Sequence, residues 1–155
     1  MHTFKIVPLS KEYAQKVRET GQDEFGHPVV AEMMTGTGPC RVTLRPLRAG
    51  IDKRLVVNHT PFEKDNAYYQ RGPIFISAEE VEEYEDIHRF PPEVRNVTLI
   101  GYNADQLMIY TRIVGENEDI NEVIPRIFYG EMPQVAYLHA RSTKAACFIC
   151  RIERG

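Results

Sequence analysis

The carboxyl-terminal stretch constrains the fold of this chain more than any other. Gln134-Val-Ala-Tyr-Leu-His-Ala-Arg141 and Ala145-Ala-Cys-Phe-Ile-Cys-Arg-Ile152 are two β-type runs joined by the short polar link Ser142-Thr143-Lys144. A link that short permits only an antiparallel hairpin. Side chains alternate between the two faces of a strand. Ala136, Leu138 and Ala140 therefore share one face of the first run, and Tyr137, His139 and Arg141 share the other. In the second run Ala146, Phe148, Cys150 and Ile152 oppose Ala145, Cys147, Ile149 and Arg151. Matching the apolar faces brings Tyr137, His139, Arg141, Cys147 and Arg151 onto one surface. A three-residue loop sets His139 directly across from Cys147, with Cβ atoms about 4.5–5.5 Å apart. Such loops favour glycine in a left-handed position, and this one has none.

Upstream, Thr3 to Leu9 reads as a strand, and Ser10 can cap a helix to about Thr20 that buries Tyr13, Ala14 and Val17. Residues 21–39 carry no periodicity. Strands are expected at Arg41–Leu47, with Pro46 at an edge or end, at Arg54–His59 and at Gly72–Ser77. Ser77-Ala-Glu-Glu80 has a capping-box pattern and predicts a helix carrying Val81, Tyr84 and Ile87, stopped before Pro91-Pro92. Val97–Tyr102 and Gln106–Val114 predict a hairpin with a bulge at Gly101. Ile120 to Phe128 predicts an amphipathic helix, capped near Asn117 and kinked or stopped by Pro125. Strands dominate and their links are mostly too short for parallel crossovers. The expected architecture is a single α+β domain over residues 1–155, a largely antiparallel sheet with two or three packed helices.

The bulk properties narrow the function classes. A formal net charge of −3 with no basic block disfavours nucleic acid or an anionic membrane as a partner. No apolar run approaches the roughly 18–20 residues that cross a bilayer, and Met1-His-Thr-Phe-Lys-Ile-Val-Pro8 has no apolar leader. Three cysteines are too few for a disulfide framework and suit a reducing compartment, so the expected location is cytoplasmic.

Several patches occur in a recognisable order: Pro39-Cys-Arg41, Pro61-Phe62, Tyr68 followed by Gly72-Pro-Ile-Phe75, Gly101-Tyr102, and Val135-Ala-Tyr-Leu-His139 leading to Cys147-Phe148 and Arg151. Together they resemble the bacterial family known as domain of unknown function 1203, from about Phe4 to Arg154. The resemblance implies the extent of the domain and carries no activity. Members often have a second histidine two positions after the one matching His139; here Arg141 stands there, so a paired-imidazole metal site is not carried over.

The residues themselves support three functions. In the first, the polar face of the terminal hairpin binds a small anionic molecule or peptide. Arg41, Arg141 and Arg151 would supply guanidinium forks for carboxylate or phosphate, and Tyr68, Tyr137 and His139 would add hydrogen bonds. The second is an enzyme in which His139 takes the proton of Cys147 to leave a nucleophilic thiolate. The third is an interaction domain that self-associates, for example as a homodimer, through an uncovered sheet edge. No metal or cofactor is expected. Cys147 and Cys150 point to opposite faces of a strand, and His27, His59, Cys40 and His139 lack the spacing that marks ligand sets.

Overall fold

The computed structural model describes residues 3–155. Eight strands form two antiparallel sheets. Strands β1 (Phe4–Val7), β5 (Val97–Tyr102), β6 (Met108–Ile113), β7 (Tyr137–Ser142) and β8 (Phe148–Arg154) make a five-stranded sheet in the order β1-β8-β7-β5-β6. Strands β2 (Val30–Met33), β3 (Lys53–His59) and β4 (Gly72–Ser77) make a three-stranded sheet in that order. With helices α1 (Lys11–Thr20) and α2 (Ile120–Arg126), the fold is α+β and its sheets are antiparallel, as the strand patterns required.

Each sheet has its own apolar packing. Leu99, Leu138, Ala140, Cys150 and Ile152 lie on one face of the five-stranded sheet and pack with Val123, Ile124, Ile127 and Phe128 of the α2 region. In the other core, Ala14 and Val17 of α1 meet Leu55, Val57, Ile74 and Ile76 of the three-stranded sheet, together with Cys40 and Val42. The start of α1 is as predicted: Tyr13 donates its backbone N–H to Ser10 Oγ at 3.0 Å. Gly21, in the left-handed region at φ 66°, closes the helix by donating to the Val17 carbonyl. Asp119, two residues later than expected, caps α2 by accepting from Asn121 N–H. Pro125 falls inside α2, which gives way after Arg126 to a wider π-helical turn, Ile127–Glu131. The missing Pro125 N–H denies the Asn121 carbonyl its helical donor.

Two expectations fail. Ser77 to Ile87 is not helical: Ser77 Oγ accepts only from Glu79 N–H in a local turn, and the acidic residues go elsewhere. Glu83 accepts from the backbone N–H of Lys11 at 2.8 Å and Glu82 from its ammonium at 2.9 Å. Tyr84 donates its backbone N–H to the Val42 carbonyl. An isolated helix would have crowded six carboxylates over two turns; the extended course spreads them and finds distant partners. The Arg41–Leu47 strand is likewise replaced by a turn, in which Leu44 N–H donates to the Cys40 carbonyl at 2.8 Å and Leu44 adopts φ 54°. Val42 and Leu44 are fully buried all the same. The stretch read as aperiodic contains β2, exposed along its whole length, so no alternation could mark it. No helix among the described residues is long and apolar enough to cross a membrane.

Candidate functional site

The terminal hairpin forms, with a different register from the one expected. Its turn is longer: Ser142 N–H donates to the Cys147 carbonyl at 2.9 Å and Ala146 N–H to the Ser142 carbonyl at 2.8 Å. Ala146 takes the left-handed position at φ 59° that a glycine would ordinarily fill. His139 pairs with Arg151, Ala140 with Cys150 and Arg141 with Phe148, with a bulge between Ala140 and Arg141. Two corrections follow. Cys147 lies in the turn and is not the cross-strand partner of His139. The residue inserted at the bulge also reverses the parity of Phe148 relative to Cys150 and Ile152, which keep their expected core face, so Phe148 lies on the His139 side and not in the main core.

That side is a closed aromatic cluster. His139 is 0% exposed, and its ring lies 4.8 Å from Tyr102, 5.0 Å from Phe148, 5.1 Å from Phe62 and 5.4 Å from Tyr137 between centroids. Among the described residues neither ring nitrogen has a hydrogen-bond partner. Burial, followed by the charges of Arg141 and Arg151, pushes the imidazole down to about 3, so it is neutral at physiological pH. Tyr68 packs against the same cluster. Arg151 stacks 3.9 Å above the Tyr137 ring and pairs with Glu153 at 2.7 Å, which leaves it little free charge for a ligand.

Arg41 lies on the opposite side of the hairpin turn. It is 4% exposed, and it donates Nε to the Phe148 carbonyl at 2.7 Å and Nη1 to the Pro39 carbonyl. Burial lowers this guanidinium to about 10, opposed by the nearby thiols of Cys147, Cys40 and Cys150. No carboxylate pairs with it among the described residues. It lines a cleft of about 440 Å³ where the turn meets the three-stranded sheet, alongside Arg95, Lys144, Glu93 and Cys147.

A second, smaller cleft of about 190 Å³ opens on the other flank of the turn, and Cys147 lines it too. Arg141 is here, donating Nη1 to the Ala146 carbonyl at 2.9 Å. Burial lowers its guanidinium, offset by Tyr102 and Cys147. The opposite wall includes His59, whose Nδ1 lies 2.9 Å from Glu24 Oε2. Glu24 also accepts from the Tyr13 hydroxyl at 2.6 Å and from Thr60 N–H at 2.7 Å. Burial tends to raise the Glu24 carboxyl, but the hydrogen bonds from His59, Tyr13 and Thr60 outweigh it and hold the group below its ordinary value. The Tyr13 phenol is raised, first by burial and then by Glu24. Sequence reading missed this constellation. Glu24 sits in an irregular loop, 35 residues from His59, and no local pattern links them.

Cys147 is thus the one predicted residue shared by both clefts, with Arg41 on one side and Arg141 on the other. Tyr68, Tyr137, His139 and Arg151 line neither. Among the described residues, no group of three or more His, Cys, Asp or Glu side chains is placed to hold a metal ion. Cys150 is buried among apolar side chains, and that burial pushes its thiol up to about 12.

The molecule is therefore an α+β protein of two antiparallel sheets with a cation-lined cleft on each side of its terminal hairpin turn. Residues 37–154 match the family described as protein of unknown function (DUF1203), and the chain belongs to that family. No curated protein and no solved structure matches it.

Proposed function

We propose that this protein binds a small anionic molecule, bearing carboxylate or phosphate, in the larger cleft. The observation that carries this reading is Arg41, a buried cation that lines the cleft and has no acid paired with it among the described residues. Burying a charge is costly unless it is paired. Two carbonyls satisfy Nε and Nη1, and an anion in the cleft would supply the missing charge. Arg95 and Lys144 outnumber Glu93 on the walls, which attracts such a ligand, and the volume falls within the roughly 300–1,000 Å³ usual for ligand pockets. Arg41 also ties Pro39 to Phe148, so its bonds to the backbone shape the cleft that its charge serves. The three free cysteines support a reducing, cytoplasmic setting.

The test is thermal melting with phosphate, sulfate, succinate and citrate at constant ionic strength. A ligand at 100 times its Kd stabilises by about 2.7 kcal/mol, a shift of several degrees for a chain of this size. The response should vanish in Arg95→Glu and weaken in Arg41→Lys, which keeps the charge but loses the planar fork. Identical melting in all four anions and in both variants would remove the proposal.

A second reading, association of two copies through the edge strand β2, is supported by Val30 at 56% and Met33 at 43% exposure. Light scattering over a dilution series checks it; a constant monomer mass rules it out.

A further inference from the structure

The smaller cleft holds an arrangement that anion binding in the larger one does not use. His59 has a side chain 10% exposed, with Nδ1 engaged by Glu24. Among the described residues its other ring nitrogen, Nε2, makes no hydrogen bond, and His59 lines the cleft. A carboxylate on one imidazole nitrogen selects the tautomer in which Nδ1 carries the proton, leaving Nε2 as an acceptor. Glu24 is itself held by Tyr13 and Thr60, and the Tyr13 ring packs edge-on against His59 at 5.4 Å between centroids. The imidazole is consequently fixed in both orientation and tautomer. The same cleft is lined by the half-buried Cys147, the cations Arg71 and Arg141, and no carboxylate.

We infer that Cys147, His59 and Glu24 form a nucleophilic thiol site whose substrates are small carboxylates bearing an electrophilic carbon. His59 is the proton acceptor, Glu24 is a positioning residue acting through His59, and Arg141 receives the substrate carboxylate. Cys147 Sγ, which donates weakly to the Ala145 carbonyl at 3.7 Å, turns from that carbonyl and gives its proton to His59 Nε2. The sulfur electron pair then forms a bond to the electrophilic carbon, whose leaving group departs with the electrons of the broken bond. The imidazolium returns the proton to the leaving group or to solvent. His139, without a partner in its aromatic enclosure, takes no part in this scheme.

Alkylation of the native chain by iodoacetate and by iodoacetamide, read site by site by mass spectrometry, tests the inference. Iodoacetate supplies the carboxylate, the carbon and iodide as leaving group; iodoacetamide lacks only the charge. Cys147 should react while Cys40 and Cys150 stay unmodified, and its iodoacetate-to-iodoacetamide rate ratio should exceed that of glutathione several-fold. Arg141→Gln should bring that ratio down to the glutathione value. His59→Gln should slow both reagents roughly tenfold, because an unassisted thiol is only a few per cent ionised near neutrality. Glu24→Gln should slow them less, and the pH–rate profile should lose one ionisation in His59→Gln alone. If His59→Gln fails to fold, Glu24→Gln and the reagent ratio still decide the question. A Cys147 that reacts at the glutathione rate, with the glutathione reagent preference, and equally in Glu24→Gln, overturns the inference. Failure of the anion proposal would show separately, as absent thermal stabilisation.

Discussion

The two histidines beside the terminal hairpin have opposite surroundings. His139 is enclosed by four aromatic rings and, among the described residues, touches no hydrogen-bond partner. His59 has a carboxylate on one nitrogen and lines a cleft. Burial alone makes an imidazole neutral and chemically idle, because it penalises the charged form and supplies no path for a proton. A paired carboxylate and an opening make the same ring a usable acceptor. A histidine on a strand therefore says little until its two nitrogens are accounted for.

The largest effect is expected where the closed cluster is opened. Phe62 contacts Tyr69, Tyr102 and His139. Phe62→Ala should cost about 3–5 kcal/mol in chemical denaturation. By admitting water it should also move the His139 titration, followed by NMR, back toward its ordinary value. Unchanged titration in a folded Phe62→Ala protein would show that these rings are not what suppresses the charge.

The next effect is on pH dependence. The His139 imidazole ordinarily titrates near 6.5 and is held at about 3 in the fold. Between those values the unfolded chain takes up a proton that the folded chain refuses. Stability is therefore complete above about pH 6.5 and falls as the pH drops through this window. The loss from pH 7 to pH 4 should be roughly 3 kcal/mol. His139→Leu should flatten that slope when unfolding is measured at both pH values, and a slope equal to wild type would assign the dependence to other groups.

The smallest effect belongs to the open site. Glu24→Gln keeps an acceptor for His59 Nδ1 but loses its charge, and should cost about 1–2 kcal/mol at pH 7. The Glu24 carboxyl is held below its usual value near 4.5. Its contribution is present above that value and is lost as the pH falls through the folded one, so wild type and Glu24→Gln should converge in acid. A constant gap down to pH 3 would contradict this.

Most of the strand pattern was legible. Gly72–Ser77 and Val97–Tyr102 fall where the sequence predicted them, and the Gly101 bulge appears as a register shift between Gly101 and Tyr102. A Cβ at Gly101 would lie 2.8 Å from Val135 Cγ2, so the glycine is required there by close approach. The capping-box helix misled because Ser77 and Glu80 satisfy a local rule while Glu82 and Glu83 find Lys11 about 70 residues away. The site was half legible. Cys147, Arg41 and Arg141 were named from sequence and line the two clefts, but His139 does not lie across from Cys147. A one-residue bulge and a lengthened turn change every cross-strand neighbour.

Alternation, turn residues and caps depend on a few consecutive side chains, because faces repeat every two residues in strands and every 3.6 in helices. Those properties settled the α+β class and the antiparallel pairing. Which groups meet across the clefts depends on loop geometry and on packing between elements far apart in the chain. Only the folded molecule could bring Glu24 to His59, leave Arg41 buried without an acid, and shut His139 inside its aromatic enclosure.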